Sequence, residues 1–144
     1  MPASTATYDD ANLILRLYEL RREDRMREAR RWFLAEFKSV TSLADIMRLC
    51  PPASEEDASM RMVTSYWDMV ASFLNAGVLN RELFYESGRE LLIVWVRLEA
   101  AIPEARGAMG AGLMRNLEQA ASAYSEWINK QEPGSFERWK KMVS

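Results

Sequence analysis

The sequence predicts an all-α protein, an elongated antiparallel bundle of four long helices plus two short ones. Three observations carry this. Apolar residues recur every three or four positions along most of the chain. Nothing alternates with the period of two that a half-buried strand requires. Hairpin signals, low-complexity tracts and linkers are all missing, so residues 1–144 read as a single helical domain, with 1–8 expected to be disordered.

The first helix is expected over residues 9–37, where Asp9 and Asp10 suit a helix N-terminus. Its apolar stripes are Leu13, Leu17 and Leu20, then Met26, Ala29, Phe33 and Phe37, separated by the charged block RREDRMREARR at 21–31. As one straight rod it would measure roughly 43 Å. A compact chain of this size is ~37 Å across, so the helix protrudes, bends or elongates the bundle. A short helix from Thr41 or Ser42 to about Leu49 stops before Pro51 and Pro52. Ser54, with Asp57 three residues on, opens a helix over 55–76 that Gly77 closes. Met62, Tyr66, Met69 and Phe73 beside Val63, Trp67, Val70 and Leu74 give it a wide apolar face. Asn80 caps a helix reaching Ala101, in which Gly88, Trp95 and Ile102 share a phase. Pro103 opens the next, which runs to about Lys130 with Leu113, Leu117, Ala120, Tyr124 and Trp127 inward. The turn EPGS precedes a last short helix carrying Phe136, Trp139 and Val143.

The hexamer LLIVWV at 91–96 is the most demanding segment. In a helix six consecutive residues sweep the whole circumference. It therefore has to be covered on every side, by the short helices at 42–49 and 135–143 or by a second copy of the chain.

Composition removes whole classes of chemistry. The chain has no histidine, so imidazole triads, His-bearing zinc sites and Glu-x-x-His di-iron sites are impossible. A single cysteine, Cys50, forms no internal disulfide and suits a reducing interior. The start, MPASTATYDD, has neither a basic region nor an apolar core of a secretory signal. The longest stretch without charge or strong polarity, GAMGAGLM at 107–114, is far short of the ~20 residues of a membrane span. A net charge of −2 exerts no general pull on nucleic acid. Cytoplasmic residence is the expectation.

Several surfaces were weighed for function. Arg21, Arg22, Arg25 and Arg30 are candidate anion contacts, although Glu23 and Arg27 pair along the helix and no aromatic interleaves for base stacking. Glu82, Glu86 and Glu90 align at helical spacing, which reads as a charged ridge before a cation site. RGAMGAG at 106–112 shares only glycine content with a phosphate loop. Met60, Met62 and Met69 could line an adaptable surface, and Tyr66, Tyr85 and Tyr124 could meet Glu86 or Arg97 in a polar pocket. The tryptophans at 32, 67, 95 and 127 are core anchors, because a tetratricopeptide repeat lacks its Leu-Gly pairs.

The GVLNRELF turn, the spacing of Gly88, Trp95 and Ile102, and Arg106 after Ile-Pro carry a resemblance. Over 67–127 the chain resembles a group of uncharacterised bacterial all-helical domains of unknown function. Some members of that group have an N-terminal membrane anchor, which this sequence does not show. The resemblance implies no activity, and it singles out Arg106 as its one polar position, paired with Glu99 or Glu104.

The reading that results is a non-enzymatic helical interaction module, self-associating as a homodimer or binding another protein. Its candidate pocket or interface residues are Trp67, Gly88, Trp95, Arg97 and Arg106. No cofactor or metal is expected. The alternatives are a small-molecule sensor with a pocket in the bundle core, and weak nucleic-acid binding through the Arg-rich block, which the net charge disfavours.

Overall fold

The structure is a computed structural model that describes residues 5–144. Among these residues every regular element is helical. The helices are α1 (Tyr8–Arg22), α2 (Asp24–Glu36), α3 (Leu43–Leu49), α4 (Glu55–Asn75), α5 (Arg81–Tyr85), α6 (Arg89–Leu98), α7 (Ile102–Met109), α8 (Arg115–Gln131) and α9 (Ser135–Val143). A 3-10 turn at Glu99–Ala101 joins α6 to α7.

The 21-residue α4 is the central rod, with α2 packed along one side and α8 along another. Its buried row is Val63, Trp67, Val70, Ala71 and Leu74, with Met62, Tyr66 and Phe73 half-buried beside it, so the wide apolar face is real. Expected caps recur where the sequence placed them. Ser42 and Ser54 accept the backbone N–H groups of Asp45 and Asp57, and Asn80 accepts that of Leu83. Gly77 adopts φ +77° after α4, the left-handed stop expected of it.

Three segments expected as continuous rods are broken. The 9–37 helix divides at Glu23, whose backbone is extended and whose carboxylate accepts the N–H of Met26 to start α2. Glu23 is thus a cap and does not pair with Arg27, which bonds Asp24 at 3.0 Å. The 80–101 helix divides at 86–88, between α5 and α6. The 103–130 helix divides at 110–114, where Gly110 has φ +118° and Met114 φ +55°.

Side chains from elsewhere reach the backbone at or near each of these breaks. Tyr66 Oη donates to Leu17 O at 2.6 Å, and Arg30 Nη1 to Arg21 O at 3.3 Å. Tyr124 Oη donates to Tyr85 O at 2.6 Å. At the third break Arg106 Nε donates to Leu113 O at 3.0 Å, and Asp68 on α4 accepts the N–H of Leu117 at 2.9 Å. Tyr66 and Tyr124 are therefore staples between helices; Tyr85 stacks on Tyr124 with 4.1 Å between centroids, so the three tyrosines do not converge on one polar pocket.

The expected disorder of 1–8 also needs correction where it can be judged. Thr7 and Asp10 form a reciprocal capping box and Tyr8 begins α1, while 1–4 lie outside the described residues. The stripe in α1 is narrower than expected: Leu17 is buried, Leu13 half-buried, and Leu20 exposed.

The hexamer is enclosed by the chain itself. Leu91, Leu92, Val94, Trp95 and Val96 are buried and Ile93 is half-buried. α6 is covered by α4, α8 and α9, so the C-terminal short helix supplies the extra wall and α3 instead packs on α7. No second copy is needed to shield it.

Candidate functional site

The residues nominated from sequence disperse into structural roles. Trp67 is fully buried and donates from Nε1 to Glu90 Oε2 at 3.0 Å. The same carboxylate takes Arg30 bidentately, Nε at 2.9 Å and Nη2 at 2.8 Å. That pairing holds the Arg30 guanidinium above its ordinary pKa. Arg21 lies over the Trp67 ring at 5.0 Å and donates to Tyr66 Oη at 3.4 Å. Arg21 and Arg30 thus tie α1 and α2 to α4 and α6 and are already partnered. Arg22 leans over Tyr18, and Arg25 is exposed beside a depression that Glu28, Glu55 and Glu56 also line. The four arginines form no common anion cradle.

Glu90 turns inward to this network, whereas Glu82 and Glu86 precede the break and are exposed, so the three-carboxylate ridge does not exist. Among the described residues no cluster of three potential ligands that could hold a metal ion occurs.

Arg97 is a double helix stop. Its Nη1 donates to Phe33 O at 3.0 Å and Leu34 O at 2.9 Å, in the last turn of α2, and Nε donates to Val143 O at 2.8 Å, at the end of α9. α2 has no basic residue in its own last turn, so α6 supplies the cation its carbonyl end favours. Burial without a carboxylate pulls the Arg97 pKa down. Arg106 bonds Glu118 at 2.9 Å, not Glu99 or Glu104; Lys140 takes Glu99 and Glu104 accepts the N–H of Leu43. Trp95 is a core residue. Gly88 sits in the break: a Cβ there would meet Phe84 Cζ at 2.3 Å. The close neighbour is therefore an aromatic ring, neither a foreign backbone nor a ligand cavity.

Two features that sequence reasoning missed are better candidates. The first is the outer face of α1. Tyr8, Ala11, Leu15, Tyr18 and Arg22 follow at alternating steps of three and four, and Tyr8, Leu15 and Tyr18 are 81, 58 and 47% exposed. At ~100° per residue they fall on one strip, turned well away from buried Asp10 and Leu17. Its spacing is legible in the sequence, but it overlaps the leucine row at 13, 17 and 20. The second is an apolar hollow of about 240 Å³ bounded by α3, α4, α7 and the 110–114 turn. No local pattern foretells it, since its walls come from five separate segments.

Among the described residues no helix is long and apolar enough to cross a membrane. No curated protein and no solved structure matches the chain. A family model described as Domain of unknown function (DUF4760) matches residues 6–127, from the α1 cap through most of α8, well beyond the 67–127 stretch that carried the resemblance. Only α9 lies wholly outside it. With that much of the fold matched, the chain belongs to the DUF4760 family of domains of unknown function.

Proposed function

We propose that this protein is a non-enzymatic interaction module of the cytoplasm that pairs with a second copy of itself through the outer face of α1. The single observation that carries the reading is the exposed strip of Tyr8, Leu15 and Tyr18 at coiled-coil spacing. A strip of this kind on a helix whose opposite side is already packed is more apolar than solvent exposure requires. Charge favours an antiparallel pair. The α1 N-terminus carries Asp9 and Tyr8, and its C-terminus carries Arg22. Antiparallel alignment sets Arg22 against the Tyr8 ring, whereas parallel alignment sets Arg22 against Arg22.

The strip is one helix long, so the contact falls below the ~800 Å² per partner of standard complexes and the affinity is expected in the roughly micromolar range. The non-enzymatic part rests on commitment of polar groups. Glu90 is held by Arg30 and Trp67, and the hydroxyls of Tyr66 and Tyr124 are spent on backbone carbonyls.

Sedimentation equilibrium across a hundredfold concentration range tests the reading. The expected result is a monomer–dimer equilibrium that Leu15→Glu abolishes with the helical circular dichroism unchanged. A strict monomer at every concentration, or a dimer that ignores Leu15→Glu, contradicts it.

A further inference from the structure

We propose that the hollow between α3, α4 and α7 is a binding site for a small uncharged apolar molecule, such as a medium-length alkyl chain with a neutral head. Its floor is Ile46, Cys50, Met60, Leu98, Ile102 and Ala105, drawn from α3, α4, α6 and α7. Met47 and Met109 stand at the mouth, 49 and 71% exposed, where large apolar side chains on a water-facing rim call for cover.

Size and chemistry both narrow the occupant. A 150 Å³ apolar cavity holds a six-carbon ring, so 240 Å³ accommodates about ten carbons by simple scaling. The three polar side chains of the wall are already served. Thr64 Oγ1 donates to Met60 O at 2.9 Å, and Asp57 and Arg61 bond each other at 3.1 Å. The interior of the hollow is therefore apolar, and its rim carries one positive and one negative charge, favouring neither an anion nor a cation. The Cys50 thiol, pushed up to about 11 by burial, stays protonated and joins the wall as a neutral apolar group.

The wall also contains a backbone feature that packing alone does not demand. Met114, a lining residue, holds the left-handed conformation at φ +55°, which residues with a side chain seldom adopt. It is kept there by the Arg106 bond to Leu113 O and the Asp68 bond to the N–H of Leu117 on either side. The turn that contains it sets both Leu113 and Met114 against the hollow. Flexible methionines on three walls let the site adjust to a chain entering between them.

The test uses the full chain with decan-1-ol, decanoate and decylammonium as probes, and reads the thermal midpoint and the rate of Cys50 alkylation. Decan-1-ol at ten times its dissociation constant is expected to raise the midpoint and slow Cys50 alkylation about tenfold. The two charged probes are expected to do so less at equal free concentration. Ala105→Phe, which fills the floor, and Met109→Glu, which places a carboxylate at the exposed mouth, should each remove the decan-1-ol effect. Met109→Glu leaves the core untouched and so keeps the test decisive if Ala105→Phe unfolds. No protection by decan-1-ol, stronger protection by either charged probe, or protection that survives Met109→Glu would overturn the proposal.

Discussion

At the residue scale, single carboxylates hold helix starts, some next to them in sequence and one far away. Asp10 accepts the N–H of Asn80 at 2.8 Å while closing its own capping box with Thr7, and Asp45 accepts the N–H and hydroxyl of Thr41 and pairs with Arg48. The backbone bond from Thr7, then that from Asn80, lowers the Asp10 pKa; the bonds from Thr41 and then Arg48 bring Asp45 to about 2. A carboxylate with a depressed folded pKa stabilises the fold above its unfolded pKa of ~3.9 and loses that effect as pH falls through the folded value. Asp45→Asn should therefore unfold more readily than the parent at pH 7, with the gap closing between pH ~4 and ~2. Urea titrations followed by circular dichroism at those pH values measure the gap, and a gap that is constant with pH speaks against it. Gly88 makes a steric claim instead. Since an added Cβ meets the Phe84 ring at 2.3 Å, Gly88→Ala should cost about 1–3 kcal/mol, and Gly88→Leu more. Restoration by Phe84→Leu in the same chain is the expected result; unchanged unfolding of Gly88→Ala removes the argument.

At the scale of the element, the fold is built from helices shorter than their apolar pattern allows. Periodicity located nearly every helical residue, and Ser42, Ser54, Gly77 and Asn80 set their boundaries as local chemistry dictates. The breaks at Glu23 and at 86–88 were not legible, because part of what holds each comes from another helix, Arg30 at the first and Tyr124 at the second. RREDR contains no glycine or proline, and its Arg21 carbonyl is served by Arg30 from α2. Gly88 was visible as an anomaly, but only the position of Phe84 explains why the chain bends there. The same limit applied to the sites. Arg97 and Arg106 are candidate site residues in the sequence, yet their partners are carbonyls and a carboxylate that no spacing rule pairs with them. A staple of this kind is testable. Tyr124→Phe leaves Tyr85 O buried without its 2.6 Å donor and should cost about 1–3 kcal/mol in chemical denaturation. A neutral substitution would mean that the α5–α6 break does not need the hydroxyl.

On the scale of the whole molecule, the chain has a continuous core around α4 and α6, with α9 completing the wall. Phe136 and Trp139 pack on that core, Trp139 also meets Arg89 at 5.2 Å, and Arg97 and Glu99 grip Val143 and Lys140 of α9. The apolar demand of LLIVWV is thus met inside one chain, and the exposed strip on α1 lies apart from it. Enclosure of α6 therefore does not depend on the pairing proposed for α1. Amide hydrogen exchange across 89–98, recorded at dilute and at concentrated protein, tests this directly. Exchange in this segment should be as slow as global unfolding allows and identical at both concentrations. Fast exchange in dilute solution that slows as the protein is concentrated would contradict it, because a second molecule would then be the missing wall.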